Sequence, residues 1–523
     1  MIAHPIKPHA AKSSPADLPR TAEVPPTAEV PRTAEVPPTA TVPRTAEVTL
    51  ARGDGIGPEI VEAVLLVLKA AGARVAFDEI EIGEPVYLRG VTAGIDAAAW
   101  DSLRRTRVFL KGPVTTPLGS GYKSLNVTAR KTLGLYANVR PCSTFHPFVR
   151  SRHPGLDVVI VRENEEDTYA GIEHRQTAEV TQCLKLITRP GCERIVRYAF
   201  EYARRNGRRK VTCMTKDNIM KLTDGLFHRV FEEVRAEYAD IATEHMIIDI
   251  GTARLADDPT RFDVIVTPNL YGDIISDVVA QISGSVGLAG SANIGTSCAM
   301  FEAVHGSAPD IAGKDIANPS GLLQAATMML LHLGQGSTAA AIQNAFLRTL
   351  EDGVHTPDVY RPEQSTRRVG TLDFAAAVAS RLGLNPRHLP AASYPESAEP
   401  LQIHLTPRAK PTKTLQGVDV FFDWDIPGRP PESLGQQLER LAGPAFSLKM
   451  LTNRGVKVYP NGLPETFCSD HWRARFVAAH GTATHAQIID LLSRIAAAGL
   501  DFIKTEHLCS FDGERGYSLG QGE

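Results

Sequence analysis

The chain has 523 residues, of which 43% are hydrophobic, with Lys+Arg 56 against Asp+Glu 59 and a formal charge of -3. That length predicts roughly two to four domains with ample core, while the balanced charge, without any basic run, argues against a nucleic-acid binder. No apolar run is long enough to span a bilayer.

The seven cysteines are odd in number and lack C-x-x-C spacing. They predict reduced thiols in a cytoplasmic setting, not a disulfide scaffold or a zinc site. The N-terminus lacks the apolar core of a signal peptide, and its several glutamates speak against a transit peptide. Residues 19–48 repeat a twelve-residue unit, PRTAEVPPTAEV, PRTAEVPPTATV, then PRTAEV. Recurrent proline forbids helix and disfavours strand pairing, so residues 1–47 are expected to be a disordered, partly extended tail.

Order is expected from residue 48. Residues 48–51 read as a strand, Gly53–Gly57 as a glycine turn, and Pro58 as the start of a helix over 58–71. Strand, glycine loop and helix in that order open many α/β nucleotide folds. The G-x-G-x-x-G fingerprint is missing, because Pro58 and Ile60 interrupt it, and residues 119–124 lack P-loop spacing. A plain structural turn is the other reading.

Strands at 108–111, 158–161, 211–215 and 263–267 alternate with helices at 194–204 and 219–237. Such alternation predicts a doubly wound α/β fold with a largely parallel sheet and helices on both faces. The apolar helix at 322–333 is expected in the core or at a subunit contact. Residues 386–416 shift to Pro, Ser, Thr and Ala and read as a linker. Beyond it, strands at 418–422, 447–452, 456–459 and 501–508 and helices at 432–442 and 486–498 suggest a small α+β, ferredoxin-like module, with 464–481 less regular. No catalytic constellation marks it, so assembly or regulation is its expected role.

The centre of the chemistry is expected after the strand at 263–267. Gly272 is expected to open a helix whose first turns carry Asp273 and Asp277, on one face four residues apart. Two carboxylates at a strand's carboxyl end suit a hard divalent cation, Mg²⁺ or Mn²⁺; they would equally complement a helix dipole. Arg130, Arg140 and Arg162 could clamp carboxylates bidentately, or be solvated. Ser124 and Asn126 stand just before a helix, where capping is the alternative. Tyr169 could donate a proton or be a packed aromatic. Lys216, after a strand, could act as a base or lie exposed. Asp249 could be a third metal ligand or a turn residue.

Several stretches resemble the isocitrate/isopropylmalate (β-decarboxylating) dehydrogenase family: GDGIGPEI at 53–60, RENEEDTYAGIEH at 162–174, TKDNIMKLTDG at 215–225, NLYGDIISD at 269–277 and HGSAPDIAGKDIANP at 305–319. The resemblance spans about residues 48–385. It implies a two-domain fold without a Rossmann fingerprint, with a large coenzyme domain from 48–135 and 284–385 and a small domain from 136–283. The small domain would carry a clasp between subunits at about 167–190.

SLNV at 124–127 is similar to members acting on isocitrate, which assigns Ser124, Asn126, Arg130, Arg140 and Arg162 to that substrate. The resemblance further implies Tyr169 and Lys216 as catalytic, Asp249, Asp273 and Asp277 as metal ligands, and Thr115, Glu302, His305, Gly306, Asp310, Ile311 and Asn318 as coenzyme contacts. It implies a homodimer in which Lys216 and Asp249 reach the partner's site. NADP-dependent members carry Lys and Tyr where this chain has Asp310 and Ile311, so a carboxylate facing the ribose predicts NAD over NADP. Homoisocitrate, tartrate and isopropylmalate are alternative substrates. A non-catalytic regulatory subunit is the alternative role, against which the full catalytic set stands.

Overall fold

Strand β1 (Ala46–Ala51) lies just ahead of the glycine turn. The computed structural model describes residues 45–116, 124–396 and 401–521. The expected disordered tail lies outside the described residues except at 45–47, where β1 already begins. After β1 the chain turns at Gly53 (φ +73°), where a Cβ would come within 2.1 Å of the Pro113 carbonyl oxygen. Glycine is required for that approach. Helix Gly57–Ala70 follows, with proline in its first turn as expected.

The remaining strands of the body are β2 (Val75–Ile80), β3 (Val108–Lys111), β4 (Ala137–Ser143), β5 (Asp157–Glu163), the hairpin β6 (Glu173–Arg175) and β7 (Thr181–Cys183), β8 (Lys210–Thr215), β9 (Ala242–Ile247), β10 (Val264–Thr267), β11 (Gly290–Ile294) and β12 (Ala299–Ala303). All but the hairpin join one sheet in the order β2-β1-β3-β12-β11-β4-β5-β10-β8-β9. Its two wings are parallel, and β12-β11, β11-β4 and β4-β5 pair antiparallel in the middle. The fold is thus the expected α/β one, with a central antiparallel seam that alternation of elements did not predict. Separate apolar clusters pack on the two wings. One gathers β1, β3 and helices Gly57–Ala70, Ser320–His332 and Gly336–Glu351. The other gathers β5, β8, β10 and helices Arg189–Arg205 and Thr223–Arg235. Helix Ser320–His332, at the expected 322–333, lies in the core.

Past the short pair β13 (Val354–His355) and β14 (Arg367–Arg368), the segment read as a linker is tied to the body. Glu351 accepts from the backbone of Arg387, His388 and Leu389, and Asn344 exchanges two hydrogen bonds with Ala392. Leu401 and Ile403 pack against the second cluster. Composition alone overstated its freedom, because sparse anchors suffice to dock an extended strand.

The last segment folds as β15 (Lys413–Asp423), helix Pro431–Ala442, β16 (Phe446–Asn453), β17 (Val456–Tyr459), β18 (His471–Ala478), helix His485–Ala497, β19 (Asp501–Phe511) and β20 (Glu514–Arg515). The sheet order β17-β16-β18-β15-β19-β20 is antiparallel throughout, and its inner four strands have ferredoxin-like order. One expectation is corrected: β18, within the stretch read as irregular, is a central strand, and β17 is an edge addition. The sequence of β18 alternates with period two: Trp472, Ala474 and Phe476 are fully buried on one face, and Arg473 and Arg475 take the other. Arg475 is buried on the opposite face, paired to Asp419 at 2.8 Å. The module docks on the β6–β7 hairpin. Asp470 accepts from the Thr177 hydroxyl at 2.5 Å, and Arg429 forks onto Glu179.

Candidate active site

Arg162, the penultimate residue of β5, has a fully buried side chain. Its Nε and Nη2 donate to Asn269 Oδ1 at 2.9 and 2.7 Å, and Nη1 donates to Asp273 Oδ1. Burial, then the neighbouring cations Arg140 and Arg130, pull its pKa down to about 9. Gly272 permits the approach, since a Cβ there would lie 2.6 Å from Arg162 Cγ. Helix Asn269–Ser283 begins directly after Pro268, so Asp273 and Asp277 sit beyond its first turn, which holds no acid. This removes the reading in which they only complement the helix dipole, whose field fades within one turn.

Asp273 is the hub. Its Oδ2 accepts from the Tyr169 hydroxyl at 2.5 Å, and its Oδ1 lies 3.4 Å from Arg140 Nη2. Burial would raise its pKa, but Arg162, Arg140 and the Tyr169 hydrogen bond outweigh that and hold it below the usual carboxylate range. Tyr169 sits in the one-turn helix Thr168–Ala170 under the Arg162 guanidinium, 4.9 Å from its ring centroid. Burial pushes the phenol pKa up and keeps the hydroxyl protonated. Asp277 stands at the rim, 3.7 Å from Arg140 Nη1, with burial raising its pKa.

Arg130, Arg140, Arg162, Tyr169 and Asp273 line one cavity together with Ser124, Asn126, Glu302, His305 and Gly306. Ser124 precedes helix Leu125–Thr132 but makes no capping hydrogen bond; its Oγ accepts from the Thr116 hydroxyl at 3.2 Å. Asn126 Oδ1 is buried without a hydrogen-bond partner among the described residues. An unsatisfied buried oxygen is costly unless something else meets it.

Lys216 and Asp249 are elsewhere. Lys216 Nζ donates to Asp249 Oδ1 at 2.7 Å, and that contact lowers the Asp249 pKa. Neither residue lines the cavity of the same chain. The Lys216 amide donates to Asp224, a fully buried carboxylate that also meets Lys185 at 2.7 Å. Lys185 reaches Asp167 as well, at 3.4 Å, and Asp167 caps the Tyr169 turn. One partly buried cation thereby ties the turn bearing Tyr169 to the turn bearing Lys216.

The expected coenzyme contacts divide. The backbone of Thr115 donates to Asp54 at 2.8 Å, its hydroxyl meets Ser307 at 2.9 Å, and Ile56 donates to the Ser307 carbonyl. The glycine turn is therefore laced to the loop of His305 and Gly306. His305 Nε2 is buried without a partner among the described residues, and burial lowers its pKa. Asp310 is exposed, while Ile311 is half-buried against the apolar core. Asn318 is engaged structurally, donating to Asp358 and accepting from the Ser320 amide. Glu302 is bound on all sides by Lys111 at 2.6 Å, Arg130 at 2.9 Å and Asn293 at 2.9 Å.

Lys111 and Asn269 are the partners sequence reading missed. Lys111 reads only as the end of a strand, and Asn269 only as a strand terminator. A signal existed in the β-branched strand β10 feeding straight into an Asn-started helix.

The sequence model described as isocitrate/isopropylmalate dehydrogenase matches residues 47–378. The chain belongs to this family. A second model, described as the C-terminal domain of bacterial isocitrate dehydrogenase, matches residues 413–523. A protein of Rickettsia bellii named isocitrate dehydrogenase (NADP) is 54% identical over 479 residues, covering 91% of this chain and 99% of its own. One of the same name from Thermus thermophilus is 46% identical, covering 91% of this chain and 96% of its own. The crystal structure of the TT0538 protein, also from Thermus thermophilus, matches with a TM-score of 0.86 at 46% identity, covering 91% of this chain and 96% of that one.

These relatives overturn the expected NAD preference. The inference rested on Asp310 repelling a 2′-phosphate and on Ile311 lacking another purpose. Ile311 has one, since it packs against the core. Asp310 is exposed, and solvent weakens a lone carboxylate's repulsion.

Proposed function

We propose that this chain catalyses NADP-dependent oxidative decarboxylation of isocitrate to 2-oxoglutarate and CO₂ as a homodimer. The carrying observation is the convergence of Arg130, Arg140 and Arg162 with the Tyr169–Asp273 pair in one cavity, where Asn126 Oδ1 has no partner among the described residues. Three guanidinium groups in one cleft match a tricarboxylate, and Ser124 and Asn126 offer polar contacts that an apolar isopropyl group would leave unmet.

In this reading Arg130, Arg140 and Arg162 orient the substrate carboxylates. Tyr169, kept protonated by burial, delivers the proton to carbon after CO₂ departs. Lys216 takes the hydroxyl proton from the opposite subunit; its absence from its own chain's cavity supports a shared site. Asp273, Asp277 and the partner's Asp249 would hold Mg²⁺ or Mn²⁺. Hard oxygen donors suit such ions, and the arginines keep Asp273 ionised. The bound groups supply hydride acceptance by the nicotinamide and polarisation of the substrate oxygens by the cation. Thr115, His305 and Gly306 belong to the coenzyme side, with residues 48–135 and 284–385 as its domain. Residues 417–523 serve assembly or regulation. Seven free cysteines fit a reducing, cytoplasmic setting.

Initial rates of nicotinamide reduction with isocitrate, Mg²⁺ or Mn²⁺, and each coenzyme test this reading. Turnover is expected with NADP at the higher kcat/KM. Turnover of isopropylmalate or tartrate in place of isocitrate would refute the substrate assignment.

A further inference from the structure

Beside the catalytic lysine, three potential ligands converge that the reaction does not use. Asp217 lies just past β8, His228 is on helix Thr223–Arg235, and His245 is on the edge strand β9. Parallel pairing of β8 with β9, in register at Cys213 and His245, brings His245 up to the β8 loop. Asp217 Oδ2 is 2.7 Å from His228 Nδ1, and its Oδ1 is 3.8 Å from His245 Nε2. One ligand atom from each residue lies within 4.8 Å of the other two.

We propose that Asp217, His228 and His245 form a second cation site, separate from the catalytic one, which takes a borderline divalent transition metal such as Zn²⁺. None of the three lines the cavity described above.

The donor set decides the class. Two imidazoles and one carboxylate, with water in a fourth position, suit Zn²⁺, whereas Mg²⁺ prefers oxygen donors alone. The chemistry around the ligands agrees. Burial and the neighbouring His228 lower the His245 pKa, leaving a lone pair available near neutral pH. Asp217 is held below the usual range, since the His228 hydrogen bond and both imidazoles outweigh its burial. On the far side of His228, Glu232 Oε1 lies 3.7 Å from Nε2, where a carboxylate orients a metal-bound imidazole.

The rings now stack 3.5 Å apart with 13° between their planes. An ion lies in the plane of each imidazole that binds it, so one ring turns about χ2 on binding. That torsion is broad and soft. His245 Nε2 would exchange its 2.9 Å contact with the Thr215 hydroxyl for the ion. Because Asp217 follows Lys216 directly, an ion here braces the turn that carries the catalytic lysine.

The test is calorimetric titration of the full, chelator-stripped chain with ZnCl₂, comparing wild type with His228→Gln, His245→Gln and Asp273→Asn. Wild type and Asp273→Asn are expected to share a Zn²⁺ site that each histidine variant weakens at least ~30-fold, about 2 kcal/mol. Mg²⁺-supported turnover of the histidine variants shows that they are folded. Titration with Co²⁺ gives a second readout, a visible tetrahedral band present in Asp273→Asn and missing from His245→Gln. Equal Zn²⁺ affinity and stoichiometry in wild type and both histidine variants would overturn the proposal. So would loss of the site in Asp273→Asn, which would place the ion at the catalytic carboxylates.

Discussion

Replacing Glu302 by Gln asks whether this carboxylate serves the coenzyme or the scaffold. Side-chain exposures are 5% for Glu302, 0% for Lys111 and 8% for Arg130, and the contacts to both cations are direct. Gln keeps the shape but removes the charge, leaving two buried cations facing a neutral amide that also carries a donor. Removing one partner of a buried ion pair costs about 3–5 kcal/mol. At roughly 2 °C per kcal/mol for a large domain, Tm should drop by ~8 °C.

The pH dependence has a definite sign. Burial would raise the Glu302 pKa, but Lys111 and Arg130 hold it far below the usual range. Its contribution is therefore complete above the unfolded value, about 4.3, and is lost only as pH falls through the folded one. The gap between wild type and variant should be flat across neutral pH and close in acid. Thermal unfolding read by circular dichroism, alongside initial rates, measures both. Adding Lys111→Met to Glu302→Gln should recover part of the loss, because one stranded cation is removed. A Tm within ~2 °C of wild type, together with a raised KM for NADP, would refute the scaffold argument and make Glu302 a coenzyme contact.

Other outcomes follow from the same geometry. Asp273→Asn should lower kcat/KM at least ~100-fold, a loss of about 2.7 kcal/mol, and chelation should abolish turnover reversibly; full turnover in excess chelator would contradict the metal assignment. Mixed Tyr169→Phe and Lys216→Met subunits should regain activity through one intact site per heterodimer, and no recovery after verified exchange counts against the shared site. Glu163 is pushed up to about 8 by burial, so wild type should lose stability as pH rises from the unfolded carboxylate range to that value, by at most about 1.4 kcal/mol per pH unit. Glu163→Gln should flatten that fall, and parallel curves would dismiss it. Lys185→Met strands Asp167 and Asp224, both fully buried, and should lower kcat and Tm together; an unchanged kcat would show that the bridge does not position Tyr169 and Lys216.

The fold class, the family and most of the residues that meet in the cavity were legible in the sequence. Strands β5, β8 and β10 have the short length and β-branched content of buried strands, and the motifs around Arg162, Tyr169 and Asp273 are local and long. Properties set by partners distant in the chain were not legible there. Glu302 and Lys111 are 191 positions apart yet form one buried pair, and no local pattern separates such a glutamate from one that touches a coenzyme. The alternation of Trp472, Ala474 and Phe476 with Arg473 and Arg475 is a strand signal that sequence reading passed over, whereas the central place of β18 and the burial of Arg475 against Asp419 come only from its pairing with β15 and β16. Ile311 looked like a specificity residue until the core against which it packs was in view. Local periodicity reports which face of an element is apolar. Charge neutralisation, burial depth and the field around a ligand depend on which elements the fold brings together, and that is settled in three dimensions.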